Sequence, residues 1–486
     1  MKTLKPLYFS ICLSAATFSA FAQTPAANPE KWTLQACVDY ALQHNLQVKQ
    51  SELTAETNQN NLVQSKANML PSLAGSASHS YNIGRSIDPF TNTVVQNETV
   101  QSNSFNLGVN MNLFSGFQTR NTIERNKLST KASELDIETN KNTIALQVVS
   151  AYTQILFSQE LLKNAQTQLA TSKSQVERTE KLVKAGSLPM TNLLDLKAQM
   201  AADEQNVVTY ENQLDMAKLN LLQLLQKPAT ETIDIVVPNV DAPQESVLQR
   251  NAQQIYEAAE KTQPQIKAAE LRIQSSERNI SIAKGGYMPS LSLSAGVYTS
   301  YSSIAQRYVY DGSLVEYPTG AYWKDPVSGS NVPVYSVTRG GHAEKFAYFK
   351  QLDNNLRESV SFSLNIPIFS NLQNKTNVAN AVISRQSARY SAESTKNTLR
   401  QTIEQAYLDA KLAQKTFTTT QNQVTAYQES FRATEQRFNV GALNSVDYNQ
   451  AKNNLNKAET DLIRSKYNFI FKMKVLDFYE GKPLNF

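Results

Sequence analysis

The chain has 486 residues, 41% of them hydrophobic, with a mean hydropathy of −0.41 and a formal charge of +5. Loss of Lys2 and Lys5 with an N-terminal signal leaves +3 (5 − 2), so no strong basic field argues for nucleic acid. Gly (15) and Pro (16) are scarce for this length, which favours long helices with wet faces.

The first residues read as an export signal. Lys2 and Lys5 form a basic start, Leu7 to Phe21 is apolar, and Ala20-Phe21-Ala22 offers a small-residue cleavage site before Gln23. Residues 1–22 are therefore expected to be a signal peptide, with a buried N-terminal helix as the alternative. Cys12 leaves with the signal and Cys37 stays alone, so no internal disulfide is expected. No later stretch is long and apolar enough for a transmembrane helix.

The remainder is duplicated. Asn45-Leu-Gln-Val-Lys aligns with Gln263-Pro-Gln-Ile-Lys, and Leu70-Pro71-Ser72-Leu73 with Met288-Pro289-Ser290-Leu291, at an offset of 218. Phe114-Ser115 aligns with Phe369-Ser370, Ala151-Tyr152 with Ala406-Tyr407, and Gly186 with Gly441, at an offset of 255. The difference (255 − 218 = 37) is an insertion in the second copy, read as a long aromatic-rich loop over residues 302–357 that is expected to pack on itself as a lid, with binding of a ligand or partner as the alternative. The expected organisation is a first repeat at 23–226, a linker at 227–245, a second repeat at 246–478 and a tail at 479–486.

Each repeat reads helix, strand, loop, strand, long helix, tight turn, helix. Phe105, Leu107, Val109, Met111 and Leu113 alternate with polar residues, as do Val360, Phe362, Leu364, Ile366 and Ile368. Leu291, Leu293, Ala295, Val297 and Tyr301 share one face of a third strand; Leu73, Ala77 and Tyr81 mark a weaker fourth. Period two over roughly 10 residues is the pattern of a transmembrane β-strand, although a half-buried soluble sheet shows it too.

Phe117 to Ala185 and Leu372 to Val440 contain no Gly or Pro. As helices such runs reach ~100 Å. A heptad seam runs through the first (Ile144, Val148, Ala151, Ile155, Ser158 and onward to Val183) and recurs 255 residues later from Leu399 to Phe438. Gly186 and Gly441 end the runs, and helices return over Leu193 to Leu225 and Val446 to Phe478. In the linker Ile233, Ile235 and Val237 alternate as a short strand would.

Four strands cannot close a membrane barrel, which needs about eight. An open edge in lipid would leave backbone groups unpaired. Strands in a membrane would thus require several chains to share one barrel.

These features in this order resemble the TolC-like outer membrane efflux family over essentially the whole mature chain. The resemblance is carried by the duplication, the Leu70-Pro71-Ser72-Leu73 and Met288-Pro289-Ser290-Leu291 strand entries, the Leu113-Phe114-Ser115-Gly116 and Ile368-Phe369-Ser370-Asn371 exits, and the tip segment Arg437 to Asp447. It implies a mainly α fold with β: antiparallel helical hairpins forming a periplasmic tunnel, and four strands per chain in a twelve-stranded barrel of a homotrimer. It also implies an outer-membrane location in contact with lipid, a periplasmic adaptor, and an inner-membrane transporter of RND, ABC or MFS type. Matched tip to tip, Asp447 falls on an aspartate that rings the constriction in the family. The next family acid falls at Gln450, the lock positions at Phe438 and Leu443, and the lock's acidic partner at Asn192. A polar lock is thereby replaced; apolar closure by Phe438 and Leu443, with hydrogen bonds near Asn192, is expected. The alternative for Asp447 is a first-turn acid favoured by the helix dipole. Gly186, Ser187 and Leu188, with Gly441, Ala442 and Leu443, are where an adaptor docks in the family; plain turn chemistry is the other reading of the glycines.

No catalytic constellation, metal-ligand spacing or cofactor fingerprint stands out, and His44, His79 and His342 lie apart. The expectation is a passive duct rather than an enzyme, with an exported coiled-coil structural protein or a periplasmic adaptor as rivals.

Overall fold

The computed structural model describes residues 31–88, 90–238 and 251–482. The signal segment, the second part of the linker and the end of the tail (483–486) lie outside the described residues. The chain forms two compact units, one from residues 1–50, 140–262 and 399–486, the other from residues 51–139 and 263–398.

The second unit holds the strands. β1 (Ser72–Ile87), β2 (Val94–Ser115), β3 (Ser290–Ser302) and β6 (Arg357–Asn365) form one antiparallel sheet in the order β1-β2-β3-β6. Antiparallel register places partners on one face, and it aligns the apolar sets of all four strands. Leu73 opposes Val109, Val109 opposes Ala295, and Ala295 opposes Val360. Between strand and helix the backbone turns sharply. Gly116 and Phe117 take φ of +59° and +62°, and their equivalents Asn371 and Leu372 take +48° and +64°. The duplication is thus visible in backbone conformation even where residue types differ. A Cβ on Gly116 would run into the carbonyl oxygen of Gly285, and one on Gly285 would lie 2.6 Å from the Gly116 carbonyl oxygen. These glycines let the end of α6 (Pro264–Gly285) close on the strand exit. Farther along α6, Arg272 pairs with Asp136 of α3 (Gln118–Lys184), and Ser275 lies 3.2 Å from Ser129.

The insertion is not a loop. Residues 306–345 form a second sheet, β4 (Gln306–Lys324) against β5 (Asn331–Lys345), and α7 (Tyr348–Asn354) follows. Turn chemistry at its tip explains the hairpin: Asp325 Oδ1 accepts the Val327 amide, and Gly329 sits at φ +69°.

The first unit is helical. It contains α1 (Leu34–His44), α4 (Met190–Leu224), α5 (Ala252–Thr262), α9 (Ser445–Tyr479), and α3 and α8 (Gln373–Asn439) beyond their opening turns. α2 (Leu46–Ala67) belongs mainly to the other unit. Seam positions of both long helices are buried or half-buried throughout these stretches, Ile155 and Ile403 completely. α3 ends with Gly186 donating to Val183 and Ser187 to Leu182; α8 ends with Gly441 donating to Phe438 and Ala442 to Arg437. Both are the same six-to-one helix stop, for which glycine supplies the positive φ. The expected linker strand is a single parallel bridge between Trp32 and Ile235. Ile233 and Ile235 are buried and Val237 is exposed, and the Tyr152 hydroxyl donates to the Val236 carbonyl between them (2.6 Å).

Gly285→Val is expected to destabilise by at least ~2 kcal/mol, since a branched side chain must enter occupied backbone space. Gly75→Ala, whose Cβ would meet only ordinary contacts of 3.7 Å or more, is the tolerated control. Thermal unfolding of the two variants checks this.

Candidate functional site

Consider first the four-stranded sheet. One face carries Leu73, then Phe105 to Met111 at alternate positions of β2, then Leu291, Leu293 and Val297, then Val360, Phe362 and Leu364. On the two outer strands these side chains are bare, Leu73 at 68%, Val360 at 69% and Phe362 at 66% exposure, and on the inner strands Phe105, Leu107 and Val297 are exposed while Val109, Met111, Leu291 and Leu293 are half-buried. The band from Phe105 to Leu113 is about 20 Å tall for a tilted strand, close to the ~25 Å apolar belt of outer-membrane barrels. Exposed aromatic rings mark its helix-side end: Phe114, Phe117, Tyr287 and Phe369. The sequence reading missed this girdle because its members fall outside the strand alternation.

The other face is built from Ser, Asn and Gly. Ser78 and Ser104 share a 2.6 Å hydrogen bond, Ser80 and Ser102 one of 2.7 Å, and the Ser294 hydroxyl donates to Asn110 at 2.9 Å. At its outer end the Arg357 guanidinium lies 5.0 Å from the Tyr298 ring centre. An apolar face and a hydroxyl face on one sheet suit a wall between lipid and water. β1 and β6 each keep one edge unpaired in the sheet. Among the described residues no helix is long and apolar enough to cross a membrane.

The helical tips hold the other candidates. Phe438 is buried and stacks on Tyr448, ring centres 4.6 Å apart. Val176, Leu193 and Leu196 complete that cluster, and Leu443 packs against it half-buried. Burial pushes the Tyr448 hydroxyl up to about 12, so it stays protonated across physiological pH. Asn192 is half-buried, and the Ser445 hydroxyl lies 3.4 Å from its Oδ1 and donates to Asp195 at 2.7 Å. The structure therefore brings Phe438, Leu443 and Asn192 to one place. It keeps Asp447 and Gln450 apart from that cluster, both exposed on α9. Asn444 caps α9 by accepting the Asp447 amide at 2.8 Å, which puts Asp447 in the first turn. Gln450 donates to Asn454. Gly186, Ser187, Gly441 and Ala442 are exposed, and Leu188 is half-buried.

Above the tip lies a feature absent from the sequence reading. Lys452 of α9 reaches Asp203 of α4 at 2.9 Å with both side chains at or below 5% exposure. The Ser172 hydroxyl of α3 contacts both, and Gln199 donates to the second carboxylate oxygen of Asp203 at 3.0 Å. Both carboxylate oxygens and the ammonium have hydrogen-bond partners, so the pair joins three helices in one register. The signal was present in the sequence: Leu193, Leu196, Met200 and Asp203 follow 3-4-3 spacing, as do Ser445, Tyr448, Lys452 and Leu455. Both charges occupy seam positions.

Removing one charge strands the other in a dry site. Asp203→Leu or Lys452→Met alone should each cost ~3–5 kcal/mol, whereas the double variant should recover most of that loss. Denaturant unfolding of the four species checks this; additive losses would show that the pair is not coupled.

A family model for the outer membrane efflux protein matches residues 37–226 and 255–470. The outer membrane protein TolC of Escherichia coli is 22% identical over 472 residues, spanning 97% of this chain and 84% of that protein. The pyoverdine export outer membrane protein OpmQ of Pseudomonas putida is 25% identical over 189 residues, 37% of each chain. Among solved structures, CusC superposes with a TM-score of 0.72 at 16% identity, covering 95% of this chain and 96% of its own. The outer membrane protein VceC of Vibrio cholerae gives 0.70 at 15% identity, covering 93% and 96%. The chain accordingly belongs to the outer membrane efflux protein family, whose members are efflux channels of the outer membrane with a helical tunnel in the periplasm.

Proposed function

We propose that this chain is one of three identical subunits of a passive exit duct, fed by an inner-membrane transporter of RND, ABC or MFS type through a periplasmic adaptor. The observation that carries the reading is the open sheet. Its apolar face suits lipid, its hydroxyl face suits water, and its two free edges are intolerable in lipid unless another copy pairs with them. Three copies give twelve strands (3 × 4), enough for a lumen, and β6 of one copy then pairs with β1 of the next. No part of this arrangement needs a catalytic group, so the driving energy is supplied by the transporter.

The gate lies at the helical tips. Asp447 of each copy lines the aperture as a ring of three carboxylates, favouring cations and divalent block. Phe438 and Leu443 hold the closed form by apolar packing, and Ser445 adds hydrogen bonds to Asp195 and Asn192. Gln450 supplies a neutral amide one turn farther along α9. The exposed turns Gly186-Ser187-Leu188 and Gly441-Ala442-Leu443 receive the adaptor's own helices.

The outer-membrane, detergent-extracted protein should have a native mass of three subunits; a soluble monomer would sink the duct reading. In planar bilayers Asp447→Asn should reduce cation selectivity and divalent block, and unchanged values would remove the ring. Leu188→Glu or Leu443→Glu should weaken crosslinking to the adaptor, and undiminished crosslinking would refute docking at the tips.

A further inference from the structure

We propose that the β4–β5 hairpin is an interaction surface for its own counterparts: the hairpins of neighbouring copies pack on one another beyond the outer end of the barrel. This rests on the multi-copy reading above and adds a second, separate interface to it.

The hairpin is too bare to stand alone. Nearly every residue of β4 and β5 is exposed. Between its two register shifts, Leu314 opposes Arg339 and Glu316 opposes Val337 on one face, while Val315 opposes Thr338 and Tyr317 opposes Ser336 on the other. Large apolar groups thus stand on both faces, with Leu314 at 71% and Trp323 at 56% exposure. An isolated two-stranded ribbon is marginal in water, and bare apolar surface of this kind marks a contact site.

Position selects the occupant. The hairpin's base is clamped to the outer end of β3. The Phe346 amide donates to the Ala305 carbonyl at 3.1 Å. Gln351 accepts the Ser302 amide (2.9 Å) and donates to the carbonyls of Ser302 (3.0 Å) and Phe346 (2.7 Å). The chain then runs through α7 directly into β6, the free edge strand. The ribbon therefore rises beside the seam where the next copy joins, and barrel closure brings all copies of it around one axis. Tethering on a fixed base makes their encounter intramolecular, at an effective concentration on the order of millimolar or above. Charge permits the contact: residues 306–345 carry four basic and four acidic side chains (4 − 4 = 0), so like ribbons do not repel.

The test uses the full-length, detergent-extracted protein. With Cys37→Ser as background, Thr338→Cys places one exposed thiol on β5. A short bis-maleimide should convert most of the assembled protein to covalent dimer and trimer, and trypsin should cut at Lys324 and Arg339 at least tenfold more slowly than in the dissociated chain. Replacing residues 306–345 by a short Gly-Ser turn should lower the temperature at which the trimer dissociates in detergent by roughly 10 °C while leaving trimer formation intact. A trimer that does not crosslink and is cut rapidly, or whose dissociation temperature is unmoved by the replacement, overturns the proposal while leaving the duct standing. A monomeric wild type overturns both.

Discussion

Backbone amides and carbonyls cannot go unpaired in hydrocarbon, and the rest of this molecule follows from that constraint. The chain offers a sheet of four strands whose bare face is apolar across all four and whose reverse is Ser, Asn and Gly. Such a sheet is insoluble as a monomeric surface and incomplete as a membrane wall. In the proposed duct both defects are resolved by the same event, edge pairing between β6 and β1 of different copies. Duplication sets how much wall each chain contributes: two strands per repeat, so the repeat count and not the fold limits closure.

The helices face a different problem. Two runs of 67 residues each leave the sheet through a left-handed turn, and each carries an apolar seam that needs a partner. The turn demands positive φ at two successive residues, which costs about 1–2 kcal/mol wherever the residue is not glycine. Phe117 and Leu372 accept that cost because they open α3 and α8 while presenting apolar side chains at the membrane end. Farther along, small seam residues such as Ser158, Ala165 and Ser172 allow close helix approach. Close approach has a weakness: small residues define register poorly. The buried Lys452–Asp203 pair answers it, since a charge shifted by one residue would face apolar neighbours with no partner.

Much of this was legible in the sequence, and for identifiable reasons. Strand parity is exact arithmetic, so the alternation around Phe105 and Val360 located the apolar face. Absence of Gly and Pro bounded the long helices to within a residue of Gln118–Lys184 and Gln373–Asn439. What stayed hidden was non-local. Lys452 and Asp203 follow heptad spacing, but a charged residue on a helix defaults to the solvated face until a partner on another helix is known. The β4–β5 ribbon escaped because its two register shifts break the alternation that marks a strand, and because Tyr and Gly read equally well as loop. Ser445 shares the seam spacing of Tyr448 and Lys452, but a lone hydroxyl does not name its partners, Asp195 and Asn192, on another helix.

The two repeats diverge most where they end, and the divergence has a physical reading. α4 begins at Pro189 with no side-chain cap and no acid in its first turn. α9 begins at Asn444 with a capping hydrogen bond and Asp447 in its first turn. A first-turn carboxylate gains about 0.3–1 kcal/mol from the helix dipole. The dipole reading of Asp447 and the aperture reading are therefore not rivals. Three carboxylates brought around one axis repel, and a helix N-terminus directed at each offsets part of that repulsion. The Asn444 cap takes up the Asp447 amide and leaves its side chain exposed, so the second tip, unlike the first, carries an acid in the first turn of its returning helix.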